Sequence, residues 1–440
     1  MSPRLLLSLL FLAVTPCLCE TTDTTCVSGY VTRLGSPSDF DLNGRHVRAS
    51  EKTVQIKQPS SKAGSSPAPD QLLNLHLFDQ LKACGPADSK AHDITATRIE
   101  FEPRGHRSVS GTAIIDSTLP LPAGANPSTD HMVRADGYQI LITAKTRRTF
   151  EKPLRTSADI HVNVWITYEG TQQPDGTIIA ETADFEKNTT SRSLDRQREQ
   201  WEYDPNAIPD DAHQSGVSKA FRGNDPRQYP PHKDPAMQAR VDAIGAKLVP
   251  KYQVDFPYTE ETRLDVRFYL IDAPKWRDAM PLPSGIVLVP YQLVGWMQND
   301  SQLAAFLADK VACLLEKQPV FLPATDADFA VDAAEVALVA VPVAEAVYQL
   351  VGIPLGIDAI TQTYLHREQR DRVSIALMHD AGYDVMQAPI AWWLLSSKMQ
   401  KDISDIPEPA RAKYLYQYLG QTWANQLATT YSAPAPSAPQ

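Results

Sequence analysis

Two periodicities divide the chain. Between residues 27 and 186, apolar and polar positions alternate in short runs broken by turn residues; beyond residue 234, apolar positions recur at helical spacing. Strands are therefore predicted for the first half and helices for the second. Residues 27–104 open on VSGYVTRLGSPSDFDLNGRHVRASEKT, with turn chemistry at Gly35-Ser36-Pro37 and Asn43-Gly44. Asn-Gly between β-type runs predicts a hairpin, because both residues tolerate positive φ. The stretch closes on ITATRIEFE, where Ile94, Ala96, Arg98 and Glu100 alternate with Thr95, Thr97, Ile99 and Phe101. Residues 107–186 repeat the plan: SVSGTAIID opens, ADGYQILITAKTRRTF supplies a hairpin, and NVWITYEGTQQPDGTIIAETADFE closes around Asp175-Gly176. ETADFE echoes TRIEFE. A period of about 80 residues is too long for a solenoid and predicts two copies of one small β domain.

Both modules resemble the OB-like barrels of many exported bacterial proteins, whose openings read as a GxV strand followed by an F-x-V-N-G hairpin. Here that hairpin is Phe40-Asp41-Leu42-Asn43-Gly44. Such barrels often bind oligonucleotides or oligosaccharides on one face. Tyr30, Tyr138 and Trp165 are the aromatic residues that would stack on a ligand; the alternative is that they pack the barrels.

From Lys187 to Asp234 the periodicity vanishes and prolines recur, which predicts a linker over residues 187–233, extended or draped over the next domain. His213 and His232 lie there without a partner at ligand spacing and are expected to be solvated. Asp234-Pro235 then marks a helix start, a capping carboxylate followed by proline at the first helical position. Val241, Ile244 and Leu248 share one face of that helix. DVRFYLID reads as a strand, and Gly285 to Pro290 as an edge strand leading into a short helix. Residues 301–316 form an amphipathic helix with Leu303, Phe306, Leu307, Val311 and Leu314 buried. Phe329 to Ile360 is strongly apolar, but Asp332, Glu335, Glu345 and Asp358 and the breaks at Pro342, Gly352 and Pro354 predict buried core helices rather than a membrane span.

The second half also carries an ordered set of motifs. A helix of the pattern D-P-x-x-Q-x-R-V-x-x-I-G-x-x-L is followed by a strand ending near D-A-P, then by DAMPLPSGIVLVPYQLVGWM, SQLAAFLADKVACLLEK and HREQRDRVSIALMHDAGYD. Over residues 234–400 this resembles the HtpX-like and CAAX-prenyl-protease-like zinc metallopeptidases, family 48 of the metallopeptidases. That family places L-A-x-x-L-A-H-E-x-x-H where this chain has Leu303, Ala304, Leu307 and Ala308 in step. It places E-x-x-A-D-R-x-G before the sequence ending here in Ala381-Gly382-Tyr383-Asp384. In such a site two imidazoles one turn apart hold Zn²⁺, the intervening Glu activates water, and a Glu from a later helix completes the set. By that resemblance the first His position is Asp309, the general base is Lys310 and the second His is Cys313. The third ligand falls at Arg367, or at Glu368 with a one-residue gap. Asp309 and Cys313 keep ligand-type atoms at i, i+4. Lys310 supplies a cation where the chemistry needs a base. The expectation is a degenerate site without zinc or catalysis, in which Asp309, Lys310 and Arg367 form an ion-pair cluster; the alternative is a solvated Asp-Lys pair on the same helix.

Charge and address narrow the remaining functions. A net charge of −10 and no basic face argue against a nucleic-acid partner. Arg4 followed by an apolar run from Leu5 to Val14 and small residues at Cys17 and Cys19 reads as a secretory signal over residues 1–19, too short to span a bilayer stably. After cleavage Cys26, Cys84 and Cys313 remain. Export permits a disulfide, and Cys26 with Cys84 is the expected pair; three buried thiols are the alternative. His366 and His379 sit on different helical faces, Trp392-Trp393 is expected to pack the last helices, and sequons stand at Asn188 and Asn299. The chain is thus expected to be an exported multidomain protein, periplasmic or extracellular. Two small all-β OB-like barrels precede a mainly α (α+β) metallopeptidase-like domain at residues 234–430 and a disordered tail at 431–440. It would bind or scaffold polypeptides or an envelope component without cutting them. The rivals are an endopeptidase using zinc on Asp309, Cys313 and Glu368, and a glycan- or ligand-binding protein acting through its β modules.

Overall fold

A computed structural model describes residues 24–36, 38–56, 75–86, 93–192, 194–195, 198, 202–206, 229–274, 276–318, 357–399 and 410–431. The signal segment, His213, most of the apolar stretch from Phe329 to Ile360 and the tail lie outside them. Strands β1 (Thr24–Ser36), β2 (Asp39–Leu42), β3 (Arg45–Ile56), β4 (Gln80–Pro86) and β5 (Ile94–Phe101) close a barrel in the order β1-β2-β3-β5-β4. Only β3 and β5 run parallel, and β1 pairs antiparallel with β4 to complete the ring. Val31, Phe40, Leu42, Val47, Leu81, Ala83, Ala96 and Ile99 fill it. The alternation expected along β5 holds at Ile94 and Ala96, then slips so that Ile99 is the next buried residue. The slip lies opposite an irregularity in β3 between Ala49 and Val54, and an extra residue in one strand is what changes the phase of its neighbour.

The second module has the same plan. Strands β6 (Arg107–Leu119), β7 (His131–Ala135), β8 (Tyr138–Ile142), β10 (Val164–Gln172) and β11 (Ile178–Lys187) form a closed ring, because β10 pairs with both β6 and β11. The additional β9 (Arg147–Phe150) continues along the edge of β11 that β8 leaves, both parallel to it. β8 and β9 are thus the two halves of an interrupted third strand, in the place where β3 of the first barrel is continuous but shifts register against β5. The duplication reaches single residues. Gly29 packs against Asn43 and Gly111 against Asp136, with an added Cβ 2.7 Å from the facing side chain in each case. Asn43-Gly44 and Asp136-Gly137 are both hairpin tips at positive φ. Asp175-Gly176 is a further tip, between the last two strands.

Helix α1 (Pro235–Leu248) starts as expected, with the Asp234 carboxylate accepting from the backbone N–H of Ala236 and Met237. A short α2 (Lys251–Asp255) leads into a three-stranded sheet of β12 (Arg267–Ile271), β13 (Met280–Pro281) and β14 (Ile286–Pro290). β14 is not an edge: the order is β12-β14-β13, and all five of its residues are buried. A continuous apolar run is the signature of a strand covered on both faces. Then follow α3 (Tyr291–Trp296), α4 (Asp300–Leu315), α5 (Ile357–Asp380), α6 (Gln387–Met399), α7 (Ala410–Tyr418), a π-helical turn (Leu419–Trp423) and α8 (Ala424–Tyr431). Among the described residues, no helix is long and apolar enough to cross a membrane. The described part of the linker drapes over the sheet: Tyr203 is buried with Trp276, Met280 and Leu288, and its hydroxyl donates to the Tyr229 carbonyl at 2.9 Å.

The second barrel and the helices share one hydrophobic core, whereas the first barrel keeps its own. The chain from α7 to the π turn is the seam between all three. Gly44 faces the Tyr416 ring, Gly176 faces the Thr422 carbonyl, and Gly420 lies against the Tyr30 ring. The Tyr418 hydroxyl donates to the Gly137 carbonyl at 2.6 Å. A Cβ on Gly137 would stand 2.5 Å from the Arg372 carbonyl oxygen at a φ of +71°, while Gly124, at φ +88°, has open space around it. Gly137→Ala should therefore destabilise the protein by about 2–4 kcal/mol, and Gly124→Ala by about 1 kcal/mol, in urea unfolding followed by tryptophan fluorescence. Equal losses would mean that the tip does not depend on its close approach to the helices.

Candidate metal centre

Asp309, Lys310 and Cys313 lie on α4, which starts with Asn299 capping the Gln302 N–H at 2.9 Å. The helix is not half-solvated. Every residue from Gln302 to Leu315 is buried, with Asp309 1% and Lys310 7% exposed. The solvated Asp-Lys pair is therefore excluded, for a structural reason: α1, α5, α6 and the small sheet all pack around α4.

The buried charges pair with one another, although Arg370 Nε makes no hydrogen bond among the described residues. Lys310 Nζ donates to Asp278 Oδ2 at 2.6 Å and to Asp309 Oδ2 at 2.7 Å. Arg411 at the start of α7 donates through Nη2 to Asp309 Oδ1 and Asp371 Oδ1, each at 2.5 Å, and through Nε to Asp371 Oδ1 at 2.7 Å. Its guanidinium stacks 3.4 Å from the centroid of Trp392, on α6. Arg370 adds a third cation, 3.4 Å from Asp309 Oδ1. Three carboxylates thus face three cations, and the cluster is neutral. Burial alone would raise the Asp309 carboxyl, but Arg411, Lys310 and Arg370 outweigh it and hold the group well below the usual carboxylate range. Burial would likewise lower Lys310, and Asp278 and Asp309 reverse that. Asp371 goes the other way: burial raises it, and Arg411 offsets only part of the rise.

The expected cluster therefore exists around Asp309 and Lys310, but its other members are Asp278, Arg370, Asp371 and Arg411. Arg367 stands one turn before Asp371 and acts on it as a neighbouring charge. Glu368 pairs instead with Arg372, at 3.8 Å. Cys313 hydrogen-bonds Arg370, and burial pushes its thiol up, away from the thiolate that binds metal. A zinc ion fits these residues poorly. It needs free lone pairs from three or four ligands. Both oxygens of Asp309 are taken by cations, and Lys310 and Arg411 would repel a divalent ion.

A second charged belt joins the helices to the second barrel. Arg372 on α5 grips Asp136 with Nη2 to Oδ1 at 2.6 Å and Nε to Oδ1 at 2.9 Å, and Tyr168 donates its hydroxyl to Asp136 Oδ2 at 3.0 Å. Arg134 links Asp116 at 2.7 Å to Asp380 at 2.5 Å. Burial raises Asp116 to about 6 despite Arg134. Glu316, just past α4, accepts from the Ile114 N–H and from Gln369 Nε2, both at 3.2 Å. Burial, with Asp136 adding to it, holds its carboxyl well above the ordinary value.

Most of the aromatic and histidine residues outside the cluster make contacts within the fold. Tyr30 and Tyr138 are buried, the latter edge-on to Tyr418 with centroids 5.6 Å apart. Trp165 donates its indole N–H to Asn188 at 3.1 Å. The Asn188 side chain is buried and also donates to Asn163 at 2.7 Å, so in the folded chain that sequon holds loops together. His232 is partly covered rather than free in solvent: its ring stacks on Tyr291 at 4.3 Å and pairs with Asp272. His379 lies against the Trp423 ring, whereas burial and Arg370 lower the His366 pKa. Trp392 packs on Phe306 as expected, and Trp393 is exposed. Cys26 and Cys84, directly opposite across β1 and β4, form a disulfide. The chain matches no family model, and no curated protein matches it.

Removing one member of the central cluster leaves buried charge uncompensated. Arg411→Met should cost about 3–5 kcal/mol in urea unfolding. Adding Asp371→Leu should return at least about 1 kcal/mol of that loss, because the carboxylate left without its main counter-ion is then gone. Strictly additive losses would show that the two side chains are not coupled.

Proposed function

We propose that this protein is an exported, non-catalytic relative of the zinc metallopeptidases that binds or scaffolds polypeptides or an envelope component. The observation that carries the reading is the neutral cluster at Asp309. Asp309, aligned with the first metal ligand, is engaged by Lys310, Arg370 and Arg411, and Lys310, aligned with the general base, is a cation that Asp278 and Asp309 keep protonated and so cannot take a proton from water. The rival ligand set loses support because Glu368 is drawn toward Arg372.

Binding of a polypeptide is supported by the groove beside β12, on an edge where the Gln238 side chain caps the Phe268 carbonyl at 2.9 Å and the Leu270 N–H at 2.7 Å. There the chain already adds backbone pairs to the strand, His232 N–H to the Leu270 carbonyl and Asp272 N–H to the Pro230 carbonyl, both at 2.9 Å. A groove of about 790 Å³ continues past them between α1 and residues Val266–Tyr269. The Cys26–Cys84 disulfide is compatible with the oxidising compartment that the signal-like N-terminus implies.

Casein incubated with the purified protein should remain intact over a day, with and without chelator. Chelator-sensitive cleavage that Asp309→Ala abolishes would replace this reading with the endopeptidase.

A further inference from the structure

A second concave site lies away from the charge cluster, where the two barrels and the helices meet. It has a volume of about 180 Å³ and is walled by Tyr30 and Gln80 of the first barrel, Arg104 of the inter-barrel connector, Arg107 at the start of β6, Gln172 of β10 and Gln421 of the π turn. Arg104 donates Nη2 to the Phe78 carbonyl at 2.9 Å and Nη1 to the Pro174 carbonyl at 3.5 Å. Arg107 donates Nη1 to Gln421 Oε1 at 3.0 Å. Among the described residues neither guanidinium is paired with a carboxylate. The nearby Glu102 accepts from Gln80 Nε2 at 3.2 Å instead. With five N–H groups on each arginine, most of the donors on this wall remain open, and two positive charges three residues apart face one small space.

We propose that this junction binds a small tetrahedral oxyanion of the phosphate type, held by Arg104 and Arg107 with the Gln421 amide completing the site. Charge alone does not define the ligand. The Arg104 and Arg107 guanidiniums come from separate chain positions and point different N–H groups at the cleft, with the Gln421 side chain, whose Oε1 accepts from Arg107, across from them; an acceptor with oxygens pointing in several directions satisfies both arginines, as a flat carboxylate does not. Occupancy would also tie the connector to α7 and the π turn, adding an ionic contact between the barrels and the helical unit. The site shares no residue with the Asp309 cluster and does not rest on the reading of that cluster.

Calorimetric titration of the full chain with inorganic phosphate, at constant ionic strength, tests the proposal. One phosphate should bind per chain, with acetate at least about tenfold weaker. Arg107→Gln should weaken phosphate binding about tenfold or more. Gln421→Glu, which sets a carboxylate beside Arg107, should abolish it. Arg147→Gln, an exposed arginine on β9, should leave it unchanged. Absence of saturable binding, equal affinity for acetate, or full affinity in the Arg107→Gln variant would each overturn the assignment.

Discussion

The guanidinium of Arg411 occupies a position on which most of the architecture turns. It neutralises two buried carboxylates, Asp309 on α4 and Asp371 on α5, and it stacks on Trp392 of α6. Four helices are thereby joined through one planar group, a task that a bidentate, always-charged side chain performs better than lysine. The helix that carries it continues into the seam where Tyr416, Tyr418 and Thr422 meet the glycine tips of both barrels. Closing the charge cluster and docking the β modules are therefore two consequences of placing α7 once.

Buried ion networks are costly to desolvate, and apolar packing of similar volume often stabilises as well or better. Their contribution is selective: a shifted α7 would leave Asp309 and Asp371 without their main counter-ion. The same logic repeats at the barrel seam. The Asn43 of the first hairpin tip, whose amide oxygen accepts from the Tyr30 N–H at 2.9 Å, becomes Asp136 in the second. That change gives the second barrel a charge for Arg372 to grip, and it accompanies the continuous core that the second barrel alone shares with the helices.

Local features were the most legible in the sequence. Asn43-Gly44, the β1 and β6 runs and the Asp234-Pro235 start all read correctly because their signals lie within a few residues of one another. The internal duplication was also visible, although its key correspondence is between Asn43-Gly44 and Asp136-Gly137 rather than the later Asp175-Gly176. The edge assignment of Gly285 to Pro290 failed because an apolar run does not reveal which strands flank it. Asp309 and Lys310 stand out in the sequence as an altered site, yet none of the cluster's other members Asp278, Arg370, Asp371 and Arg411 does. Asp278 lies 32 positions before Lys310, and Arg411 lies 102 after Asp309; no spacing rule connects such residues before the helices pack. A cation from α7 has no signal of its own in the chain.

The lone pairs of Asp309 are held by Lys310, Arg370 and Arg411. Zinc content measured by elemental analysis, after purification in zinc-supplemented buffer and desalting, tests this most directly. Ion pairing with Lys310, Arg370 and Arg411 predicts well below about 0.1 zinc per chain, because an aspartate so engaged has no donor set to offer. About one zinc per chain, lost on Asp309→Ala, would contradict it.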